Sequence, residues 1–525
     1  MPSEPTTQDP RALEARPSRV QPVALAAVAR VVGAPVAAGD DGTVRITGAT
    51  LRSQSVRPGD LYAALPGART HGARFAADAA GRGAVALLTD PTGAEACRST
   101  GLPVLVVDRP RDRLGAAAAT IYGAPGERLV TIGITGTQGK TTVTFLTEAG
   151  LRGAGATPAV VGTTGTRVAD RPVASTLTTP EAPDLHALLA VMVEQGVDAC
   201  AMEVSSHALV QGRVDGVVFD VATFLNLGHD HLDFHGDMAT YFEAKAGLFT
   251  PARARRAVVN LDDEYGRALV DRLEIPYATV STTDAAADWR ADRIEATSRG
   301  TTFDAVDPDG RRHATRLPLV GEFNVANALA SIASLAAAGY PVDGVVAGLA
   351  DCESVPGRME PVIAGQPFAA IVDYAHKPDA LRAVLESLRP LTPGRILVVV
   401  GAGGDRDTAK RAVMGRVAAE LADTVVITDD NPRSEPAAAI RRAVLDGART
   451  AATAADLVEI GDRRDAIRHA VAAAGPDDCV VVAGKGHETG QEVDGVVHPF
   501  DDRVELRAAL TDRFGVGAGG RNARP

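Results

Sequence analysis

The chain has 525 residues, 23% of them charged, and a formal net charge of −12; at roughly 100–200 residues per domain this predicts about three soluble globular domains. The acidic balance excludes long-range attraction to nucleic acid or anionic lipid, so any phosphate must be held by local basic groups and backbone amides. No apolar run reaches the ~18–20 residues needed to span a bilayer, and Cys97, Cys200, Cys352 and Cys479 form no CxxC pair of zinc or redox type.

Residues 1–22, rich in Pro, Arg and acidic side chains with no stretch of signal type, read as a disordered tail, as do residues 515–525, and the protein is predicted to be cytoplasmic. Short apolar runs at 44–46, 61–64, 85–88 and 104–107 predict a small α/β domain over 23–126, ending at the Pro125-Gly126 break. A central domain over 127–355 opens with a buried strand at 129–135, a glycine-rich turn and a helix starting near Thr141. Further strands are predicted at 199–204, 221–227 and 257–261, with a late helix at 329–338. Strands at 371–374, 396–400, 425–428 and 480–483, separated by alanine-rich helices, predict a second doubly wound sheet over 356–514. The fold class is therefore α/β, with largely parallel sheets covered by helices. Aromatics make up only 4% of residues, so the cores are expected to be built from Ala, Val and Leu.

The strongest local motif is Gly133-Ile-Thr-Gly-Thr-Gln-Gly-Lys-Thr-Thr142, between a strand and a helix. Gly136 and Gly139 let the backbone approach an anion, and the amides at the helix start point at it. Lys140 suits terminal phosphates and the Thr141 hydroxyl suits Mg²⁺. Position 134 is Ile, so the strict GxxxxGK[ST] pattern is missed. Met202-Glu-Val-Ser-Ser-His207 places Glu203 at a strand end, where a carboxylate suits Mg²⁺. Asn226-Leu-Gly-His-Asp-His-Leu-Asp-Phe-His-Gly236 concentrates histidines and acids, without the Cys or HxxxH pattern that would complete a zinc site.

The spacing GxxGTxGKTT resembles the Mur ligases and their relative folylpolyglutamate synthetase, and the resemblance covers almost the whole chain through ordered motifs. It implies three domains, binding a UDP-linked substrate, ATP and an amino acid in turn. It implies that Gly136, Thr137, Gly139, Lys140, Thr141 and Thr142 bind ATP. Asn324 and Asn327, in Gly321-Glu-Phe-Asn-Val-Ala-Asn327, would lie near the adenine. Arg358, after the Pro356-Gly357 break, would clamp phosphates. Asp373 and His376, in Asp373-Tyr-Ala-His-Lys-Pro-Asp379, would sit on the ribose side. Lys140, Glu203, His231 and Lys245 are implied as the catalytic set. Thr141, Glu203, His231 and Lys245 would hold Mg²⁺, with Lys245 carbamylated to N6-carboxylysine; from its pattern alone, Lys245 is a lysine on a helix.

The first-domain element Leu51-Arg-Ser-Gln-Ser-Val-Arg-Pro-Gly-Asp60 resembles the family's uridine-binding element. Arg52 and Gln54 depart from it, whereas Leu51 and Ser53 fit. Thr178, Thr179, Ser205, Gln211 and Arg213 match positions that hold the muramoyl-peptide. Three motifs follow third-domain strands: Gly403-Gly-Asp-Arg-Asp407, Asp430-Asn-Pro-Arg433 and Gly484-Lys-Gly-His-Glu488. Arg406, Asn431, Arg433 and Glu488 are the chemical types that a doubly zwitterionic amino acid requires, and the resemblance places Asp430, Pro432 and Gly484 in the same substrate-binding set. The resemblance thus implies an ATP-dependent ligase, monomeric, that joins diaminopimelate to UDP-N-acetylmuramoyl-L-alanyl-D-glutamate through an acyl phosphate. The reaction would serve peptidoglycan synthesis, and through it cell shape and division. The alternatives are a lysine-adding Mur ligase, a folylpolyglutamate synthetase-like ligase, or a nucleotide-sensing P-loop protein without ligase activity.

Overall fold

The structure, a computed structural model, describes residues 13–35, 42–67, 70–175, 177–297, 300–352 and 354–515. The chain divides into two compact units. One comprises residues 1–292, 305–313 and 326–349, the other residues 293–304, 314–325 and 350–525.

The first unit holds a smaller sheet, a larger sheet and a two-stranded pair. The smaller is parallel, in the order Gly48–Thr50, Asp60–Ala64, Ala86–Thr89, Val104–Val106. Residues 44–46, one of the apolar runs expected in the small α/β domain, contribute Arg45–Ile46 to an antiparallel pair with Val23–Ala24 rather than to this sheet. In the larger sheet Val130–Thr135 lies between Ala199–Glu203 and Val221–Phe224, all parallel. Pro158–Gly162 extends the sheet on one side, and Ala257–Asn260, Tyr277–Ser281 and the start of Trp289–Thr297 on the other, again in parallel. The hairpin Gly165–Val168/Arg171–Val173 adds an antiparallel edge that the apolar runs did not announce.

Both faces of such a sheet are covered, so its strands read as continuous apolar runs. Ala199–Glu203 and Val221–Phe224 are buried at every position. At their ends Glu203 lies level with Ile134, and Leu225-Asn226 packs against Gly136 of the glycine-rich turn. The predicted late helix spans Phe323–Ala337; its polar opening, Phe-Asn-Val-Ala-Asn, hid its first turn from an apolar-pattern reading.

Residues 13–22 correct the expectation of a disordered tail. The Leu13 amide donates to Pro172 O at 2.9 Å. Arg16 makes a two-pronged contact with Asp60, Nη1 lying 2.9 Å from Oδ1 and 2.7 Å from Oδ2. The amides of Ser18 and Arg19 donate to the Glu194 carboxylate. The physical reason is Asp60: its side chain is 3% exposed, and a carboxylate so placed requires a cation. Residues 1–12 and 516–525 of the expected tails lie outside the described residues.

The second unit contains the predicted doubly wound sheet. Parallel strands run in the order Ala369–Asp373, Cys479–Ala483, Ile396–Val400, Thr424–Ile427, Asp456–Glu459, and Glu360–Pro361 adds an antiparallel edge. Among the described residues, no helix in the chain is long and apolar enough to cross a membrane.

Arg463 locks the final helix, Asp502–Phe514, to this sheet. Its Nε and Nη2 meet Asp502 at 2.7 and 2.8 Å, Nη2 also donates to Ala483 O at 2.9 Å, and both side chains are fully buried. Removing one partner of such a pair strands the other charge. Arg463→Met is therefore expected to lower unfolding stability by about 3–5 kcal/mol, read as a fall in the urea midpoint; an unchanged midpoint would show that Asp502 has another partner.

Candidate functional site

The glycine-rich turn is held from several sides. Gly139, immediately before the helix Lys140–Gly153, has φ +85°, a conformation that glycine adopts without strain. A Cβ there would fall 2.6 Å from Asn327 Oδ1, so the turn packs directly against that predicted adenine-side residue. Asn226 Oδ1 accepts from the amides of Thr137 (3.1 Å) and Gln138 (2.9 Å). The Thr137 hydroxyl accepts from the Gly228 amide at 2.9 Å and lies 3.2 Å from the Tyr241 hydroxyl. One carbonyl oxygen, Gly136 O, accepts from both Lys140 Nζ (2.7 Å) and Lys245 Nζ (2.8 Å). The predicted catalytic lysines, 105 positions apart in the chain, thus meet at one atom. Thr141 and Thr142 are buried in the first helical turn.

Lys245 lies on the helix Met238–Ala246, is 1% exposed, and stands over the Tyr241 ring at 4.8 Å. Glu203 is also 1% exposed. Its Oε1 accepts from the Thr163 amide at 2.9 Å and Oε2 from the Thr163 hydroxyl at 3.0 Å. Thr163 Oγ1 lies 3.2 Å from Thr178 Oγ1. Thr179 donates to Glu203 O at 2.8 Å and accepts from the Ser205 amide at 3.2 Å. Arg213 reaches Thr179 O at 3.2 Å, Gln211 Oε1 at 2.7 Å and Glu181 at 3.1 Å. The five predicted peptide-side residues, Thr178, Thr179, Ser205, Gln211 and Arg213, therefore form one chain of contacts around Glu203.

His231 has a positive φ of 52° and an exposed side chain, 3.3 Å from Asp230. Its ring meets His207 edge-on at 4.7 Å, and His235 stacks on Tyr241 at 4.8 Å. Burial pushes His207 and His235 below the ordinary imidazole value. Among the described residues no three His, Cys, Asp or Glu side chains converge as a metal site. One buried carboxylate and a helix-start hydroxyl, Glu203 and Thr141, are hard oxygen donors of the kind Mg²⁺ uses with water and phosphate oxygens. Lys245 is a donor as it stands; only its carbamylated form would add carboxylate oxygens.

In the smaller sheet Ser53 is buried and its hydroxyl hydrogen-bonds Asp78, holding that carboxyl below its ordinary range. Leu51 follows the strand Gly48–Thr50, and Arg52 pairs with Asp184 at 3.0 Å.

The second unit gathers its predicted residues at strand ends. Asp373 Oδ2 accepts from the Met359 amide at 2.7 Å and Oδ1 from the Ala375 amide at 2.8 Å. Arg358 covers the Tyr374 ring at 4.6 Å. Burial raises the Asp373 carboxyl, opposed by Arg358 and the two amides. Asn324, also in this unit, is buried and donates to Val320 O at 2.8 Å. Asn431 Nδ2 donates to Glu488 Oε2 at 2.9 Å. Arg433, at φ 53°, donates from Nη1 to Gly404 O at 2.6 Å and lies 3.3 Å from Glu492. Asp430 Oδ2 would stand 2.7 Å from a Cβ on Gly484, so these two pack together. Pro432 sits between Asn431 and Arg433, its carbonyl against Gly404. Arg406, two residues beyond Gly404, is exposed and is not drawn into these contacts.

Several residues that support the site carried no assigned role in the sequence: Thr163 under Glu203, Asn226 under the turn, and Lys485 against Asn431. Asn226 and Lys485 lie within motifs named above and Thr163 within none, and the partner of each is remote in the chain.

Burial first, then Lys377, lowers His376 to about 4. Burial, then Arg358 and Arg503, lowers His487 likewise to about 4. His376 Nδ1 lies 2.8 Å from Tyr374 O, so that nitrogen carries the proton. Because both folded values lie below the unfolded 6.5, unfolding takes up protons between them. The stability these rings contribute is intact above pH 6.5 and lost as the pH falls towards 4. Urea midpoints should therefore drop across that window, and less steeply in a His376→Gln/His487→Gln variant.

Residues 45–122 match the description "Mur ligase family, catalytic domain", residues 134–335 "Mur ligase middle domain" and residues 357–486 "Mur ligase, glutamate ligase domain". The chain is 54% identical to a Streptomyces coelicolor UDP-N-acetylmuramoyl-L-alanyl-D-glutamate–2,6-diaminopimelate ligase, over 94% of this chain and 98% of that one. A Corynebacterium glutamicum protein of the same name is 49% identical, over 88% and 92%. A solved structure of a ligase of that name matches with TM-score 0.68 and 32% identity, covering 94% of this chain and 99% of that one.

Proposed function

The chain belongs to the Mur ligase family, and on that premise we propose that it adds diaminopimelate to UDP-N-acetylmuramoyl-L-alanyl-D-glutamate with ATP, as a cytoplasmic, monomeric enzyme of peptidoglycan precursor synthesis. The observation that carries this reading is its whole-length similarity to ligases named for that reaction. The structural likeness to folylpolyglutamate synthase is 21% identical and speaks to fold alone.

A carboxylate is a poor electrophile, and phosphorylation by ATP gives it a leaving group that the incoming amine can displace. Phosphoryl transfer needs positioning and charge neutralisation more than covalent help from the protein. In this reading the amides from Gly136 to Thr142 cradle the phosphates, and Lys140, now folded onto Gly136 O, turns to the terminal phosphoryl oxygens. Asn327 and Asn324 serve the adenine side, and Arg358, Asp373 and His376 the phosphate and ribose side. Glu203, Thr141, His231 and carbamylated Lys245 would hold Mg²⁺, which when bound neutralises phosphate charge. Thr163 keeps both Glu203 oxygens oriented. Leu51 and Ser53 contact the uridine; Thr178, Thr179, Ser205, Gln211 and Arg213 hold the peptide carboxylates.

Amino-acid choice is assigned to the second unit. Diaminopimelate carries a distal carboxylate and a distal ammonium. Arg433, Asn431 and Arg406 supply donors for the first, Glu488 and Asp430 acceptors for the second, and Pro432 and Gly484 shape the loop backbone.

Phosphate release with ATP, Mg²⁺ and the UDP-dipeptide is expected with diaminopimelate, and far less with L-lysine or no amino acid. Equal release with lysine would sink the specificity assignment, and release independent of any amino acid the ligase reading. Arg433→Met should cut kcat/KM for diaminopimelate by roughly 30-fold or more, the loss of a partly buried charged contact worth about 2 kcal/mol, with little change for lysine.

A further inference from the structure

The buried network beneath Asn431 and Glu488 contains one charged group without a role in the reaction as read so far. Lys485 is fully buried. It follows the strand Cys479–Ala483, which lies inside the sheet, and is flanked by Gly484 and Gly486, both at positive φ (122° and 54°). A Cβ on Gly486 would stand 2.7 Å from Tyr374 Cβ, so the turn runs tight against the chain at Tyr374 and carries the lysine inward. A buried ammonium requires acceptors. Lys485 Nζ finds two, Asn431 Oδ1 at 2.9 Å and Glu488 Oε2 at 3.2 Å.

These contacts fix both partners. Asn431 Oδ1 also accepts from the Glu492 amide at 3.0 Å. With two donors facing one end of the amide, the flipped orientation would set NH₂ against an ammonium and an N–H. The amide therefore keeps its nitrogen on the side of Glu488, as a donor. Glu488 Oε2 is in turn occupied by Lys485 and Asn431, while Oε1 has, among the described residues, only a long contact, 3.4 Å, from the Tyr374 hydroxyl. The Glu488 side chain is 33% exposed, whereas that of Lys485 is fully buried, so the carboxylate stands between the lysine and solvent.

We propose that Lys485 is a positioning residue for amino-acid selection, holding the Asn431 amide as a donor to the distal carboxylate and the Glu488 carboxylate with Oε1 directed to the distal ammonium. The proposal rests on the diaminopimelate reading above. Lys485 does not touch substrate; it decides which end of the amide and which oxygen of the carboxylate the substrate meets.

The test is amino-acid-dependent phosphate release by the full chain, comparing wild type, Lys485→Met, which removes the donor at similar length, and Lys485→Gln, which keeps an N–H donor. Lys485→Met is expected to raise KM for diaminopimelate about tenfold, the ratio given by one lost hydrogen bond of ~1.4 kcal/mol. KM for ATP and the UDP-dipeptide should stay unchanged, and the preference for diaminopimelate over L-lysine should narrow by a similar factor. Lys485→Gln should recover part of that preference. An unchanged preference in Lys485→Met, or an equal loss of kcat/KM for both amino acids in both variants, would overturn the proposal by reducing Lys485 to a packing element. Should Lys485→Met fail to fold, the preference of Lys485→Gln against wild type decides: a partial narrowing supports the role, and none removes it. Wild type that releases no phosphate in response to diaminopimelate overturns the ligase reading itself, an outcome distinct from all of these.

Discussion

Two ammonium groups share one backbone carbonyl, Gly136 O, and the first unit is organised around that atom. Lys140 approaches it from within its own turn and Lys245 from a helix more than a hundred residues on. For both to arrive, Val130–Thr135 must end between two parallel neighbours, and the chain must then reverse through Gly139 at φ +85°. Asn226, at the end of one neighbour, caps the turn; Glu203, at the end of the other, brings the carboxylate. Parallel strands put all their carboxyl ends at one edge, so groups from distant parts of the sequence gather there without long loops.

The second unit applies the same geometry to a different problem. Its strand ends carry buried charge that requires compensation, and each compensation orients something. Asp373 is tied by two amides and Arg358, Arg463 by Asp502, and Lys485 by Asn431 and Glu488. Burial keeps His376 and His487 neutral, so in this region positive charge resides on arginine and lysine rather than on groups that titrate near neutrality.

The sequence disclosed the elements whose cause is local. Strands 130–135, 199–203, 396–400 and 479–483 are apolar runs bounded by glycine or polar residues, because both their faces are buried. The glycine-rich turn and the acid at the end of 199–203 were legible for the same reason. What stayed hidden depends on partners far away in the chain. Thr163 meets Glu203 across 40 residues, Asn226 meets Thr137 across 89, and Lys485 meets Asn431 across 54. The edge hairpin at 165–173 was missed because strands of three or four residues are too short to show alternation. Arg52 and Gln54 looked like departures from the uridine-binding element, yet Arg52 is an ordinary surface partner of Asp184.

Arg16 carries a practical lesson about trimming. Composition marks Val23 as a natural start, and a chain shortened to that point would keep every strand and every motif. It would also remove the guanidinium that faces Asp60, leaving that enclosed carboxylate, among the described residues, with the Arg57 amide alone, and would strip a backbone bond from the sheet edge at Pro172. A shortened protein would thus carry an unneutralised charge where the strand Asp60–Ala64 begins its pairing with Gly48–Thr50. Poor yield or low stability in such a form would reflect the cut rather than the enzyme.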